Sequence, residues 1–140
     1  MEQIQKFRAN WQHKRNSDKL LQGLCDEGST LNLCCGKSQI GDLRIDIDPT
    51  VKPDLVADIF NLPSLEQFDN VIMDPPYSYY GKIKWLFPLA RLARKRFIIS
   101  TPQMSIRLRG MKRSIYVVDD GMMYLRIWQV YDRFQELLSV

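Results

Sequence analysis

Four consecutive residues in the middle of the chain, Asp74, Pro75, Pro76 and Tyr77, combine groups that can hold an NH2 group on a planar molecule. They follow the apolar run "NVIM". Proline has a fixed φ and no N–H donor, so the carbonyls of Asp74 and Pro75 are left as acceptors. Asp74 adds a carboxylate, and Tyr77 adds a flat ring for stacking. This pattern predicts a site that polarises the nitrogen of a planar amine or amide.

A glycine and three acids precede this motif, and each comes at the end of a short apolar run. Gly36 follows "LNLCC", Asp46 and Asp48 close "LRIDID", and Asp58 follows "DLVA". Glycine lets the backbone approach a ligand closely, and a carboxylate after a strand can accept both hydroxyls of a ribose. The spacing therefore predicts a site for a nucleoside-containing ligand, in which Asp46 and Asp48 are both candidates for the ribose.

Five short β-prone runs must position these residues: "TLNLCC", "LRIDID", "DLVA", "NVIMD" and "RFIIST". Runs of this kind are typical of a mostly parallel sheet, whose ligands bind beyond the carboxyl ends of the strands. The segment "YYGKIKWLFPLARLARK" predicts a crossover helix, and "SIYVVDD" with "MMYLRIWQVYDRF" predicts an antiparallel hairpin. We expect one α/β domain over residues 1–140, with a helical segment at 1–28 and the sheet core at 29–140.

Composition narrows the class of protein. No apolar run approaches the roughly 20 residues of a membrane span, and the N-terminus lacks the apolar stretch of a signal peptide, so we expect a cytoplasmic protein without membrane contact. The three cysteines lack zinc-finger spacing, which favours free thiols and no metal. From residue 91 onward ten basic residues stand against four acids, an excess that suits a phosphate-bearing partner.

The order "LNLCCG", "IDIDP", "ADIFNLP", "FDNVIMDPPY" resembles the class I S-adenosylmethionine-dependent methyltransferases over about residues 30–80. The Asp-Pro-Pro-Tyr motif resembles their amino-methyltransferase branch, which modifies exocyclic nitrogens of adenine or cytosine. The resemblance implies a Rossmann-like sheet, mostly parallel with an antiparallel C-terminal hairpin. It also implies S-adenosylmethionine as cofactor and methyl transfer to an exocyclic amine of a nucleobase, with adenine in DNA or RNA as the expected target.

The resemblance also assigns roles to individual residues. Those expected to act in catalysis are Asp74, Pro75 and Tyr77. Those expected to line the cofactor are Asn32, Cys34, Gly36, Asp46 or Asp48, Asp58 and Ile59. For the substrate, we expect Pro76 and Tyr80 to contact the base, and the basic residues that follow the fifth strand to contact phosphates: Arg107, Arg109, Lys112 and Arg113.

The chain departs from the family in its first half. Only eight residues separate Cys34 from Leu43 and five separate Asp48 from Asp54, too few for the helices of parallel crossovers. We therefore expect reduced helices, an uncovered apolar face on the first strands, and a homodimer that buries it. Two alternatives follow: a methyltransferase of a protein glutamine amide, as in relatives with an Asn-Pro-Pro-Tyr motif, or a non-catalytic domain that binds nucleic acid or protein.

Overall fold

The computed structural model describes residues 4–7, 15–25, 27–121 and 123–134. Within these residues the strands and α-helices are β1 (Ile4–Phe7), α1 (Arg15–Leu24), β2 (Thr30–Leu33), β3 (Leu43–Asp46), β4 (Leu55–Val56), β5 (Phe68–Met73), α2 (Leu86–Ala90), β6 (Ala93–Thr101), β7 (Met111–Val118) and β8 (Arg126–Arg133). Three short 3-10 helices cover Pro49–Val51, Ile59–Asn61 and Tyr77–Gly81. None of the helices in this part of the chain is long and apolar enough to span a membrane.

One sheet holds all eight strands in the order β1-β7-β8-β6-β5-β2-β3-β4. Strand β8 is antiparallel to both of its neighbours, and every other pair is parallel. From β2 the chain first builds β3 and β4 on one side and then places β5 on the other side. The strand order therefore reverses between β2 and β5, where ligands of open α/β sheets bind. The predicted Rossmann-like fold, with its antiparallel hairpin at the C-terminus, is confirmed.

The N-terminal segment corrects one expectation. The predicted helix is present at Arg15–Leu24, but residues Ile4–Phe7 form a strand that pairs in parallel with β7. Without β1, strand β7 would be an edge with unpaired backbone N–H and C=O groups, and the pairing satisfies them. The rest of the predicted N-terminal helix, at residues 1–3 and 8–14, lies outside the described residues.

The short returns of the first half are confirmed, but the expected apolar open face is wrong. Leu31, Leu33 and Ile45 point to the covered face, whereas the opposite face carries Asn32 and Arg44. The Asn32 amide donates to the Ile40 carbonyl at 3.0 Å, and the Arg44 guanidinium donates to the Ser38 carbonyl at 3.2 Å. The loop after β2 thus covers this face through polar contacts, and the homodimer prediction loses its structural reason.

Helix α1 and the crossover after β5 cover the two faces of the sheet. Leu20 and Leu21 of α1 share a core cluster with Ile72, Ile98 and Trp128 on one face. On the other face lie α2 and the 3-10 turn Tyr77–Gly81, so the predicted crossover helix is present only as two short pieces. Asp18 in the first turn of α1 accepts the hydroxyl of Ser38, in the loop after β2, at 3.1 Å. This turn therefore reaches the edge where a ligand is expected.

Candidate nucleoside and amine site

A cavity of about 1520 Å³ opens at the carboxyl edge of the strands, around the point where strand order reverses. Pockets for a single small molecule are usually about 300–1,000 Å³, so this cavity has room for two ligands side by side. It brings together most of the predicted site residues: Asn32, Cys34, Gly36, Asp46, Asp58, Ile59, Asp74, Pro75, Pro76 and Tyr77.

Asp46 organises the half of the cavity next to β2 and β3. Its carboxylate accepts the backbone N–H of Gly36 at 2.8 Å and that of Asp48 at 2.9 Å. Gly36 has φ +54°, a left-handed conformation that glycine adopts at little cost. A carboxylate offers about four acceptor positions, so Asp46 keeps capacity for a ligand after these two bonds.

Asp48, the other candidate for the ribose, is engaged elsewhere. It caps the 3-10 helix Pro49–Val51, accepting the Thr50 backbone N–H at 2.9 Å and the Thr50 hydroxyl at 2.7 Å. These bonds, that from the hydroxyl first, lower the pKa of the Asp48 carboxyl. Asp48 does not belong to the cavity wall, whereas Asp46 does.

Asp58 follows β4 in an equivalent way and does line the cavity. Its side chain accepts the backbone N–H of Phe60 at 3.0 Å and so caps the 3-10 helix Ile59–Asn61. Ile59, the first residue of this turn, is buried and also forms part of the wall. This arrangement offers a carboxylate acceptor beside an apolar surface, which suits the amino group and the face of a planar base.

The pKa of the Cys34 thiol is affected by the negative charges of these acids. Burial, and then the negative charges of Asp46, Asp74 and Asp58, raise its pKa to about 12. The acids follow three different strands, so this effect records their convergence on one point. Burial and these charges together keep the thiol protonated, and the charges favour a ligand with a positive charge.

The Asp-Pro-Pro-Tyr segment lines the same cavity from the end of β5. The backbone N–H of Asp74 donates to the Leu33 carbonyl at 3.3 Å, which joins the segment to the end of β2. The Pro76 carbonyl accepts the Tyr79 N–H at 3.0 Å as the 3-10 turn begins, and the Tyr77 ring remains 49% exposed. The Tyr77 ring is therefore accessible from the open part of the cavity.

The sequence analysis missed Arg126, the first residue of β8. Its Nη1 lies 3.0 Å from each carboxylate oxygen of Asp74, and its Nε lies 3.2 Å from Oδ2 of Asp120. Asp120 is 1% exposed and accepts both the backbone N–H and the hydroxyl of Ser17 at the start of α1. The available sequence signal was weak: a pair of acids closing "SIYVVDD", with the arginine six residues beyond the second.

Tyr80 does not reach the ligand space. It is buried, and its hydroxyl donates to the Ser100 carbonyl at 2.6 Å. Burial, as the largest cause, also raises its pKa. Its expected contact with the substrate base has no support in this geometry, because the ring belongs to the core.

The four basic residues expected to contact phosphates near the site do not line the cavity. Lys112 pairs with Asp132 and Arg113 with Tyr131, five and four residues along β8 from its cavity end at Ile127. At about 3.4 Å per residue the backbone at these positions is roughly 14 to 17 Å from Ile127. The Arg113 guanidinium reaches back along the strand and donates to Gln129 at 3.2 Å. Arg107 and Arg109 follow Ile106, whose carbonyl accepts the Tyr131 hydroxyl, so they leave the cavity edge as well. The segment after β6 runs back along the sheet, which the sequence did not indicate.

An apolar rim borders the open side of the cavity. Met123, Tyr124 and Leu125, in the loop between β7 and β8, are 90%, 74% and 49% exposed, and all three line the cavity with Tyr77. Large exposed apolar side chains grouped around a cavity are typical of a surface that contacts a ligand or partner.

No protein-family model matches the chain, and no curated protein sequence matches it. Among solved structures it is similar to TrmN from Thermus thermophilus, with a TM-score of 0.63 and 18% sequence identity. The similarity covers 85% of this chain and 48% of TrmN, so the chain spans about half the length of that protein. At this level of identity the likeness concerns the fold alone, and it agrees with the Rossmann-like sheet described above.

Proposed function

We propose that this chain is an S-adenosylmethionine-dependent methyltransferase that modifies the exocyclic amino group of a nucleobase, with adenine in DNA or RNA as the expected target. The observation that carries the proposal is the cavity at the switch point, whose wall includes Asp46, Asp58 and the whole segment Asp74–Tyr77. These are the acceptors that a nucleoside cofactor and a planar amine require.

The residues of the first half fit the cofactor. Asp46 would accept the ribose hydroxyls, Asp58 the adenine amino group, and the turn at Gly36 would lie along the methionine part. The negative field at Cys34 suits the positive sulfur. When bound, S-adenosylmethionine would supply a methyl group on that sulfur, which an amine nitrogen can accept while the sulfur leaves as a neutral thioether.

The second half suits a neutral NH2 group. The Asp74 carboxylate and the Pro75 carbonyl would accept its two N–H bonds and align its lone pair, while Tyr77 would stack on the ring. The proton released from the nitrogen would leave through Asp74 to solvent. Because Arg126 already neutralises Asp74, the site favours an uncharged aromatic amine or amide over an alkylammonium.

A nucleic-acid substrate is supported by the charge distribution and by TrmN, which is a tRNA methyltransferase. The exposed rim Met123–Leu125 suits an unstacked base, since apolar and aromatic side chains stack on any base. Arg107, Arg109 and Lys112 would contact only phosphates well removed from the target base.

One observation favours the glutamine amide as a second candidate. An ion-paired Asp74 presents an acceptor without net charge, as the asparagine of an Asn-Pro-Pro-Tyr motif does. A non-catalytic binding domain is the third reading, and its motivation is the missing helix that would otherwise support the cofactor after β2.

The test combines cofactor binding with a transfer screen. Titration calorimetry should detect S-adenosylmethionine and S-adenosylhomocysteine, and radiolabelled methyl groups should then appear in one of three pools: DNA, RNA or protein. Asp74→Ala should abolish transfer and keep cofactor binding, because Asp74 faces the substrate half. No cofactor binding at millimolar concentration would contradict the proposal and favour the binding domain. Label only in protein would favour the amide.

A further inference from the structure

A chain of polar contacts runs from helix α1 into the cavity and ends on Asp74. Ser17 bonds to Asp120, Asp120 bonds to Arg126, and Arg126 bonds to both oxygens of Asp74. We propose that Arg126 is a positioning residue for the methyl transfer, which fixes the Asp74 carboxylate in the direction of the substrate amine. This inference rests on the proposed function.

The contact with Arg126 fixes the Asp74 carboxylate but does not occupy all of its hydrogen-bond acceptor positions. One guanidinium nitrogen, Nη1, lies at 3.0 Å from both oxygens. Each carboxylate oxygen can accept a second hydrogen bond, so the pair keeps acceptor positions for the substrate. The side chains are only 20% and 38% exposed, so solvent weakens the pair less than it would weaken one on the open surface.

Asp120 and Ser17 in turn fix the position of Arg126. Its Nε donates to Asp120 at 3.2 Å, and the Asp120 carboxylate is fixed by the Ser17 N–H at 2.9 Å and the Ser17 hydroxyl at 2.6 Å. The Ser17 hydroxyl also accepts the Trp128 indole N–H at 3.0 Å. The residues that connect helix α1 to the guanidinium, Ser17 and Asp120, are both buried, so they hold Arg126 in a fixed position.

The charges of Arg126 and its two acidic partners also indicate a positioning role for Arg126. Asp74 and Asp120 share one guanidinium, so removal of Arg126 leaves two carboxylates near each other without this counter-charge. Asp74 would then lose the contact that fixes its direction, and the substrate amine would lose its alignment with the methyl group. Misplacement of a reacting group by about 1 Å can cost about 100-fold in rate.

The experiment compares wild type with Arg126→Gln and Arg126→Lys in the transfer assay. We expect kcat to fall about 100-fold in Arg126→Gln. The Kd of S-adenosylmethionine should change less than twofold, because Arg126 lies on the substrate half. Arg126→Lys should recover part of kcat, since lysine restores the charge but cannot reach both acids in the planar geometry of arginine. The matched control is Arg94→Gln, which breaks the Arg94–Asp69 pair (3.1 Å) at the opposite edge of the sheet and should leave kcat unchanged.

A double-mutant cycle with Asp74→Asn separates positioning from general destabilisation. If Arg126 acts through Asp74, the double variant is no slower than Asp74→Asn alone, and urea unfolding shows coupling between the two positions. Should Arg126→Gln fail to fold, Arg126→Lys carries the same test. An equally active Arg126→Gln, or a parallel loss of kcat and cofactor affinity, would overturn the inference alone. An inactive wild type that binds the cofactor would overturn the proposed function and this inference together.

Discussion

Replacement of Asp46 by alanine tests the cofactor half of the site most directly. Asp46 lies at the end of β3, lines the cavity, and accepts the backbone N–H groups of Gly36 and Asp48. The proposed function gives its two remaining acceptor positions to the ribose hydroxyls. Asp48 is the matched comparison, because it is two residues away, carries the same charge and lies outside the cavity wall.

The magnitude follows from the bonds that each variant removes. Hydrogen bonds to a charged group contribute about 1.5–3 kcal/mol each, so the loss of two ribose contacts costs about 3 kcal/mol or more. At about 1.4 kcal/mol per tenfold change this is a weakening of Kd by at least about 100-fold. Asp46→Ala also releases the Gly36 amide, and we expect the free energy of unfolding to fall by about 1–3 kcal/mol. Asp48→Ala removes only the cap on Thr50, so its effect on Kd should stay within about threefold.

Calorimetric titration with S-adenosylhomocysteine provides the assay, with urea unfolding of each variant to confirm that it is folded at the working temperature. If Asp48→Ala weakens binding as much as Asp46→Ala, the assignment of the ribose to Asp46 is wrong. If neither variant weakens binding more than threefold, the cofactor does not use this strand end, and the reasoning from the carboxyl edge fails with it.

Three further predictions follow from the described contacts. Because the folded Cys34 thiol has a pKa of about 12, alkylation of Cys34 at pH 8 should be much slower in the folded than in the unfolded chain. Between pH 9 and 12 only the unfolded thiol ionises, so the free energy of unfolding, relative to that of Cys34→Ala, should fall as the pH rises. Tyr80→Phe removes the bond to the Ser100 carbonyl and should cost about 1 kcal/mol in urea unfolding with kcat unchanged, whereas a loss of kcat alone would return Tyr80 to the substrate site. Ser17→Ala removes the acceptor of the Trp128 indole and should cost about 1–3 kcal/mol, and an unchanged urea midpoint would count against the polar chain behind Arg126.

Strands β2 to β6 could be predicted because each lies in a short apolar or β-prone run bounded by Gly, Pro, Asp or Asn. The run before Asp74 is the clearest case: residues 70–73 are all buried, and Pro75 and Pro76 then remove the N–H donors of a further strand pair. Since parallel strands all end at one edge, the acids after them had to converge. In the structure Asp46, Asp58 and Asp74 line the same cavity.

What the sequence did not indicate depends on contacts between distant parts of the chain. Residues Ile4–Phe7 are apolar, polar, polar and apolar in turn, a pattern too short to distinguish a strand from a helix. The strand forms by pairing with the edge of β7. The open face of β2 was predicted from the absence of a helix alone. Asn32 and Arg44 were available in the sequence, but their contacts with the following loop could be seen only in three dimensions.

Arg126 is a different case, because a physical rule would have found it. The run that ends in Asp119 and Asp120 leads to the same edge as Asp74, since β7 is parallel to β6. An acid that is buried at such an edge needs a counter-charge, and Arg126 is the next basic residue along the chain. The short loop between β7 and β8 places Arg126 beside Asp120, and its side chain is long enough to reach Asp74 as well. When a strand ends in an acid, the basic residue that follows it in the sequence should therefore be considered as well, since a buried carboxylate and its counter-ion act together in a site.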